Sequence, residues 1–266
     1  MTRITAAFLA LVLLFSLSAC RVRVDLSADP FAEEETPNTT TSTTTPPESS
    51  DEMAKHAWET YKKALELEKD YQSYELTYEG RQNMLGTVAV TRARMVQVTH
   101  PDGKRELLVN VQLAGGEQSG YYKDGIAYFH IDGKKYWMPT DEETFLAELG
   151  FSESATLSEP MFTEAIVVNN PDGTVTVSCP LVGQYATQYA AMTLGESVAG
   201  GQVTRAEESV TVDANGAPLT FTDSVAVNLP FYGEVWAEST NRYVATGADV
   251  TITPPEDLDE YASIID

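Results

Sequence analysis

The chain has 266 residues, a net charge of −23 and 42% hydrophobic residues. That length and balance suit a globular domain with a sizeable core and exclude wholesale disorder. The acidity argues against a nucleic-acid partner, because neutralising phosphates takes clustered Lys and Arg. Two cysteines exclude a disulfide-dense scaffold and a Cys-rich zinc site.

The first twenty residues read as a targeting segment. Arg3 supplies a short positive start and residues 6–17 are an apolar run. The run is well short of the ~20 residues that a membrane span needs. It ends in Leu17-Ser18-Ala19-Cys20. These four residues resemble the lipobox of bacterial lipoproteins at every position. The resemblance implies a diacylglyceryl thioether on Cys20, cleavage of residues 1–19 as a signal peptide, and a protein anchored to the outer face of the cell membrane.

From Cys20 to Ser50 the composition changes to a Thr/Pro-rich stretch, with Thr39–Thr45 nearly all threonine and Pro46-Pro47 behind it. Such a sequence buries too little apolar surface to offset chain entropy and is expected to be a disordered tether. About 30 residues of flexible chain have an r.m.s. reach of ~30 Å. A tether of that kind suits a lipoprotein standing off the membrane in a thick Gram-positive wall.

Residues 51–266 are the candidate domain. Asp51-Glu52 open a helix, and Ala54, Ala57, Trp58, Tyr61, Ala64 and Leu65 recur on one face of it up to Lys69. Strands are then predicted over residues 71–79, 85–99 and 106–113. Between residues 121 and 139, Asp124-Gly125 and Asp132-Gly133 separate aromatic-rich runs, the pattern of a β-meander with type I′ turns. Thr140 to Glu143 form a capping box with Thr140 as the predicted cap, and Gly150 is a stop. A strand over 174–179 and a helix over 183–194 follow. The hairpin 203–212/219–229 turns at Asn215-Gly216, strands are predicted over 232–245 and 250–253, and a short helix over 257–265. The order predicts one α+β domain: a single antiparallel, strongly curved sheet, an open half-barrel, with helices covering its concave side.

The opening helix, the 121–139 meander and the closing Thr253-Pro254-Pro255 resemble Gram-positive-type lipoproteins of the LolA-like, LppX/LprG-like superfamily, over roughly residues 53–262. The resemblance implies that half-barrel fold and a hollow that accepts acyl chains.

Chemistry is sparse. His56, His100 and His130 have no ligand spacing. Cys179 shares a strand face with Val175 and Val177, as an inert core thiol does. There is no Gly-x-Ser-x-Gly elbow and no phosphate loop. No catalytic set, metal site or cofactor is expected, and Asp213-Ala214-Asn215-Gly216 reads as a turn rather than a calcium loop. The aromatics Trp58, Tyr61, Tyr122, Tyr128, Phe129, Tyr136 and Trp137 are candidates to line an apolar hollow, and the same pattern suits a filled helix-on-sheet core. The expected partners are the membrane through Cys20, a lipid or other apolar ligand, and, if the core is filled, an envelope protein or wall polymer. The anchor has a direct test: labelled palmitate is expected on the wild type and absent from Cys20→Ala, and equal labelling of both would refute it.

Overall fold

A computed structural model describes residues 20–25, 50–84, 86–195, 198 and 200–264. The expected signal peptide and residues 26–49 of the expected tether lie outside them. The elements in chain order are β1 (Cys20–Asp25), α1 (Ser50–Lys69), β2 (Tyr74–Met84), β3 (Thr87–Thr99), β4 (Arg105–Leu113), β5 (Gly116–Lys123), β6 (Ile126–Ile131) and β7 (Lys134–Pro139). Then come α2 (Glu142–Glu148), β8 (Phe151–Thr156), a 3₁₀ helix (Glu159–Glu164), β9 (Ile166–Asn169), β10 (Val175–Pro180) and α3 (Gly183–Leu194). The chain ends with β11 (Gln202–Val212), β12 (Pro218–Leu229), β13 (Gly233–Thr246), a 3₁₀ turn (Leu258–Glu260) and β14 (Ala262–Ser263).

Twelve strands form one sheet in the order β14-β7-β6-β5-β4-β3-β2-β13-β12-β11-β10-β9, open at both ends and antiparallel except for the β14–β7 pair. β1 and β8 pair in parallel as a separate two-stranded sheet. The two meanders meet at β2 and β13, which run antiparallel with Trp236 opposite Asn83 and Thr246 opposite Tyr74. The fold is therefore the open, curved α+β sheet that the sequence predicts.

Alternation sorts the side chains into two faces. One inner row runs Tyr243, Leu76, Met95, Val109, Gly120, Phe129, Tyr136 across seven strands, in direct register. All three helices lie on this face. α1 and α3 bury Ala57, Tyr61, Ala64, Tyr189 and Leu194 against Val177, Val210 and Val225. α2 buries Phe145 against Phe129, Val109 and Ala127. The result is two separate apolar cores on one sheet.

The local devices follow the sequence in the turns and differ elsewhere: Cys20–Asp25, at the start of the expected tether, pair with β8, and β8 and β9 are strands that the pattern does not predict. Asp124, Gly125, Asp132 and Gly133 all have positive φ, between 52° and 79°, as paired type I′ turns require. The cap of α2 falls on Asp141, whose carboxylate accepts from the Thr144 amide at 2.8 Å, and not on Thr140. Thr140 is still held by the meander, its amide donating to the Gly125 carbonyl at 3.0 Å. Residues 250–253 join no ladder, and in place of a terminal helix there is one 3₁₀ turn followed by β14.

The reason for both C-terminal differences is that this segment is a strap. It leaves β13 where the Gly247 amide meets the Ser73 carbonyl at 2.8 Å, and it ends beside β7. On the way Lys135 holds Asp257, at 2.5 Å, and Glu260, and Tyr261 stands edge-on to Tyr128 with centroids 5.6 Å apart. Tyr128 and Lys135 point away from the helices, so the strap lies on the outer face. Val96 and Tyr121 are buried on this same outer face. So is Glu106, which accepts from the Tyr121 hydroxyl at 2.5 Å, hydrogen-bonds the His100 ring at 2.8 Å and meets Lys123 at 3.3 Å. Burial opposes ionisation of Glu106, but these hydrogen bonds and the Lys123 charge outweigh it and hold the carboxyl below its ordinary value of 4.5.

Two stability predictions follow from these contacts. A Cβ on Gly120 would lie 2.5 Å from Leu149 Cδ1 and 2.6 Å from Phe145 Cε2. Gly120→Val should therefore lower the urea unfolding free energy by about 1–3 kcal/mol through overpacking, while Gly115→Ala, in open space, should not. Because the Glu106 pKa is lowered on folding, its contribution is present above 4.5 and lost as pH falls through the lowered value. The stability difference between wild type and Glu106→Gln should accordingly shrink below pH 4.5 in urea titrations.

Candidate ligand-binding hollow

Helices roughly 10–12 Å across cannot cover a twelve-stranded sheet whose strands are ~4.8 Å apart. α1 and α3 pack over β10–β12, α2 packs on β5 and β8, and β2 and β3 between them have no comparable helix cover. A hollow of about 460 Å³ lies there, between the two cores. That is within the ~300–1,000 Å³ of small-molecule sites.

Its floor is the inner row itself: Leu76 and Met95, with Tyr74 and Tyr243 beside them. Leu146 of α2 and Phe151 of β8 form one wall, and Phe221 with the end of α1 forms the other. Tyr243 is clamped edge-on by Tyr71, at 5.1 Å between centroids, and by Tyr74, at 5.7 Å, and its hydroxyl donates to Glu68. Tyr74 donates to Gln97 Oε1 at 3.2 Å. Burial first, then the Asp213 and Glu68 charges, raises the Tyr71 phenol, so it stays a neutral donor. Polar groups cluster at the margin. Arg105 reaches Glu142 of α2 at 2.9 Å, and Asp223 accepts from Tyr189 and, at 2.9 Å, from Ser239. Glu208, though 4% exposed, accepts from Tyr61 at 2.7 Å. The arrangement is an apolar, aromatic floor with hydrogen-bonding groups at its edge, suited to holding a molecule that is itself part apolar and part polar.

The seven aromatics that the sequence proposes for a lining are distributed differently. Tyr61 is 1% exposed and, with Trp58, packs at a tilt against Phe162, with centroids 5.1 and 5.4 Å apart, filling the core under α1. Phe129, Tyr136 and Tyr122 pack with Phe145 of α2 in the second core. Tyr128 and Trp137 lie on the opposite face, Tyr128 against Tyr261 and Trp137 through its carbonyl to Ile264. None of the seven lines the hollow. Cys20 stands opposite Phe151 in the β1–β8 pair. The lining residues Leu76, Met95, Tyr74 and Tyr243 were missed because alternation assigns a face but not which strands end up uncovered.

A larger concavity, about 960 Å³, lies on the outer face. It is walled by ion pairs, including Arg92–Glu79 at 3.1 Å, Arg94–Glu75 at 2.7 Å and, at its margin, Arg205–Glu238 at 2.8 Å. Those three arginines are paired across the strands, so this face presents a lattice of ion pairs among its neutral residues. Cys179 is buried, with its thiol donating to the Met161 carbonyl at 3.2 Å. Burial first, then Glu208 and Glu207, pushes that thiol up to about 12, which leaves no reactive thiolate. Among the described residues no group of three His, Cys, Asp or Glu can hold a metal ion. Asp213 is a turn residue, accepting from the Asn215 and Ala217 amides at 2.8 Å.

No family model and no curated protein matches the chain. Among solved structures it is similar to LprF from Mycobacterium bovis, at 12% identity and a TM-score of 0.40, over 76% of this chain and 97% of that one. It is also similar to the lipoprotein LppX from Mycobacterium tuberculosis, at 10% identity and 0.38, over 75% and 99%. A LolA superfamily protein from Nitrosomonas europaea matches at 10% and 0.29, over 74% and 94%. The architecture rests on the chain's own sheet order and register.

Proposed function

We propose that this chain is a cell-envelope lipoprotein, anchored to the outer face of the membrane through Cys20, whose domain binds a lipid or other apolar ligand without chemically altering it. The observation that carries the reading is the uncovered middle of the sheet, where an apolar floor of Leu76 and Met95, walled by Phe151 and Phe221, lies between two otherwise well-filled cores. An apolar gap is costly when empty, because its lining loses dispersion contacts. Each acyl methylene buried there recovers about 0.8 kcal/mol, so several methylenes outweigh the cost of ordering the ligand.

A second reading is an interaction module for an envelope protein. The edge strand β9 supports it, since Ile166 and Val168 are 52% and 47% exposed there. The two readings separate in one experiment. Full-length protein purified from membranes is extracted with organic solvent and analysed by mass spectrometry, and fatty acid is titrated while Trp fluorescence is followed. Lipid binding predicts non-covalent lipid at near-stoichiometric amounts and a saturable signal. Leu76→Trp and Met95→Trp, which occupy the floor, should weaken binding at least tenfold with the circular dichroism spectrum unchanged. No extractable lipid, or binding indifferent to both variants, would leave the interaction module in its place.

A further inference from the structure

The β12–β13 hairpin ends in Leu229-Pro230-Phe231-Tyr232, closed by the Tyr232 amide on the Leu229 carbonyl at 3.2 Å. Phe231 has φ +70°, with proline before it. That is the third position of a type II turn, which glycine or asparagine normally takes. A bulky side chain with positive φ is an outlier, and such strain points to a role. Packing does not account for it: the Phe231 side chain is fully exposed, and Tyr232 is 69% exposed.

The surroundings are as unusual as the tip. Val203 pairs with Val227 and Trp236 with Asn83, which places the segment before β11, the β12–β13 turn and the β2–β3 turn at the same end of the sheet. Residues 82–91, 197–204 and 226–233 contain no charged side chain, in a chain of which 21% is charged. Val88, in the first of these segments, is 54% exposed. Charges return farther along the same end, at Glu117 by the β4–β5 turn and at Asp132 and Lys134 by the β6–β7 turn, and at the opposite end around Asp213, Lys104 and Asp124.

From the strained, solvent-facing Phe231 and the uncharged segments beside it, we infer that this corner of the sheet, the β12–β13 turn with its neighbours at the β2–β3 turn and the start of β11, docks into the lipid–water interface of the membrane. Phe231 enters the acyl boundary and Tyr232 places its hydroxyl among the head groups, where amphipathic rings are favoured. With no Lys or Arg in these segments, docking draws on apolar burial and gains nothing from anionic lipid. The inference rests on the reading that Cys20 holds the domain at a membrane.

The test uses full-length lipidated protein reconstituted into phosphatidylcholine vesicles. An environment-sensitive dye is attached through Phe231→Cys, or through Asn215→Cys at the opposite end of the sheet; Cys179 is buried and does not compete. The dye at 231 should blue-shift and be quenched by brominated lipid, the dye at 215 should do neither, and adding phosphatidylglycerol should not strengthen the response. Phe231→Gly suits the turn, so it should keep thermal stability while returning a dye at Tyr232→Cys to a water-like spectrum. Vesicles that float with bound protein but give equal spectra at 231 and 215 overturn the inference and leave the tip to a protein partner. Failure to float tells against the anchor instead, and the tip is then judged by the same spectral shift on added vesicles.

Discussion

The β2–β13 pairing is the constraint on which the molecule depends. Its register runs from Trp236 opposite Asn83 to Thr246 opposite Tyr74, joining strands about 160 positions apart in sequence. Without it there would be two meanders, each with its own helix cover and core. With it there is one sheet, and its seam falls beside the region that neither set of helices reaches. The hollow follows from where the two halves meet, as much as from the residues that line it.

Each half fills its own core by a different device. On the β9–β12 side a twenty-residue helix brings Trp58 and Tyr61 onto Phe162 of the 3₁₀ helix. On the β4–β7 side a helix of seven residues suffices, because Gly120 lets Phe145 and Leu149 come down onto the sheet. Buried acids are met by tyrosine hydroxyls on both faces: Tyr61 on Glu208 inside, Tyr121 on Glu106 outside. A phenol gives a carboxylate a strong hydrogen bond without adding charge, which suits a chain with 40 acids and 17 Lys plus Arg.

What the sequence made legible was local. The Asp-Gly turns, the Asn215-Gly216 turn, the helix over 183–194 and the inert Cys179 were all readable, because each is decided by a few neighbouring residues. So was the overall class, since strands with short turns between them have few ways to pair except as antiparallel neighbours. The aromatic residues were the limit. Tyr128 and Phe129 are adjacent and look alike in composition, yet the pleat sends them to opposite faces, one to the strap and one to the core. Residues 250–253 alternate as a strand does but end in Pro254-Pro255 and join no ladder. The lining of the hollow depends on the β2–β13 contact, which no local pattern encodes.

That same contact sets an order of events for folding. A chain delivered through a membrane pore with its N-terminus first would present β2 to β7 long before their seam partner arrived. The first meander would hold an unpaired central edge at β2 until residues 233–246 emerged, and the strap on its outer face would come later still. A domain closed by that pairing cannot finish folding before residues 233–246 are available. The first meander can assemble the core under α2 by itself, but the continuous sheet and the hollow beside its seam are complete only when the last few dozen residues arrive.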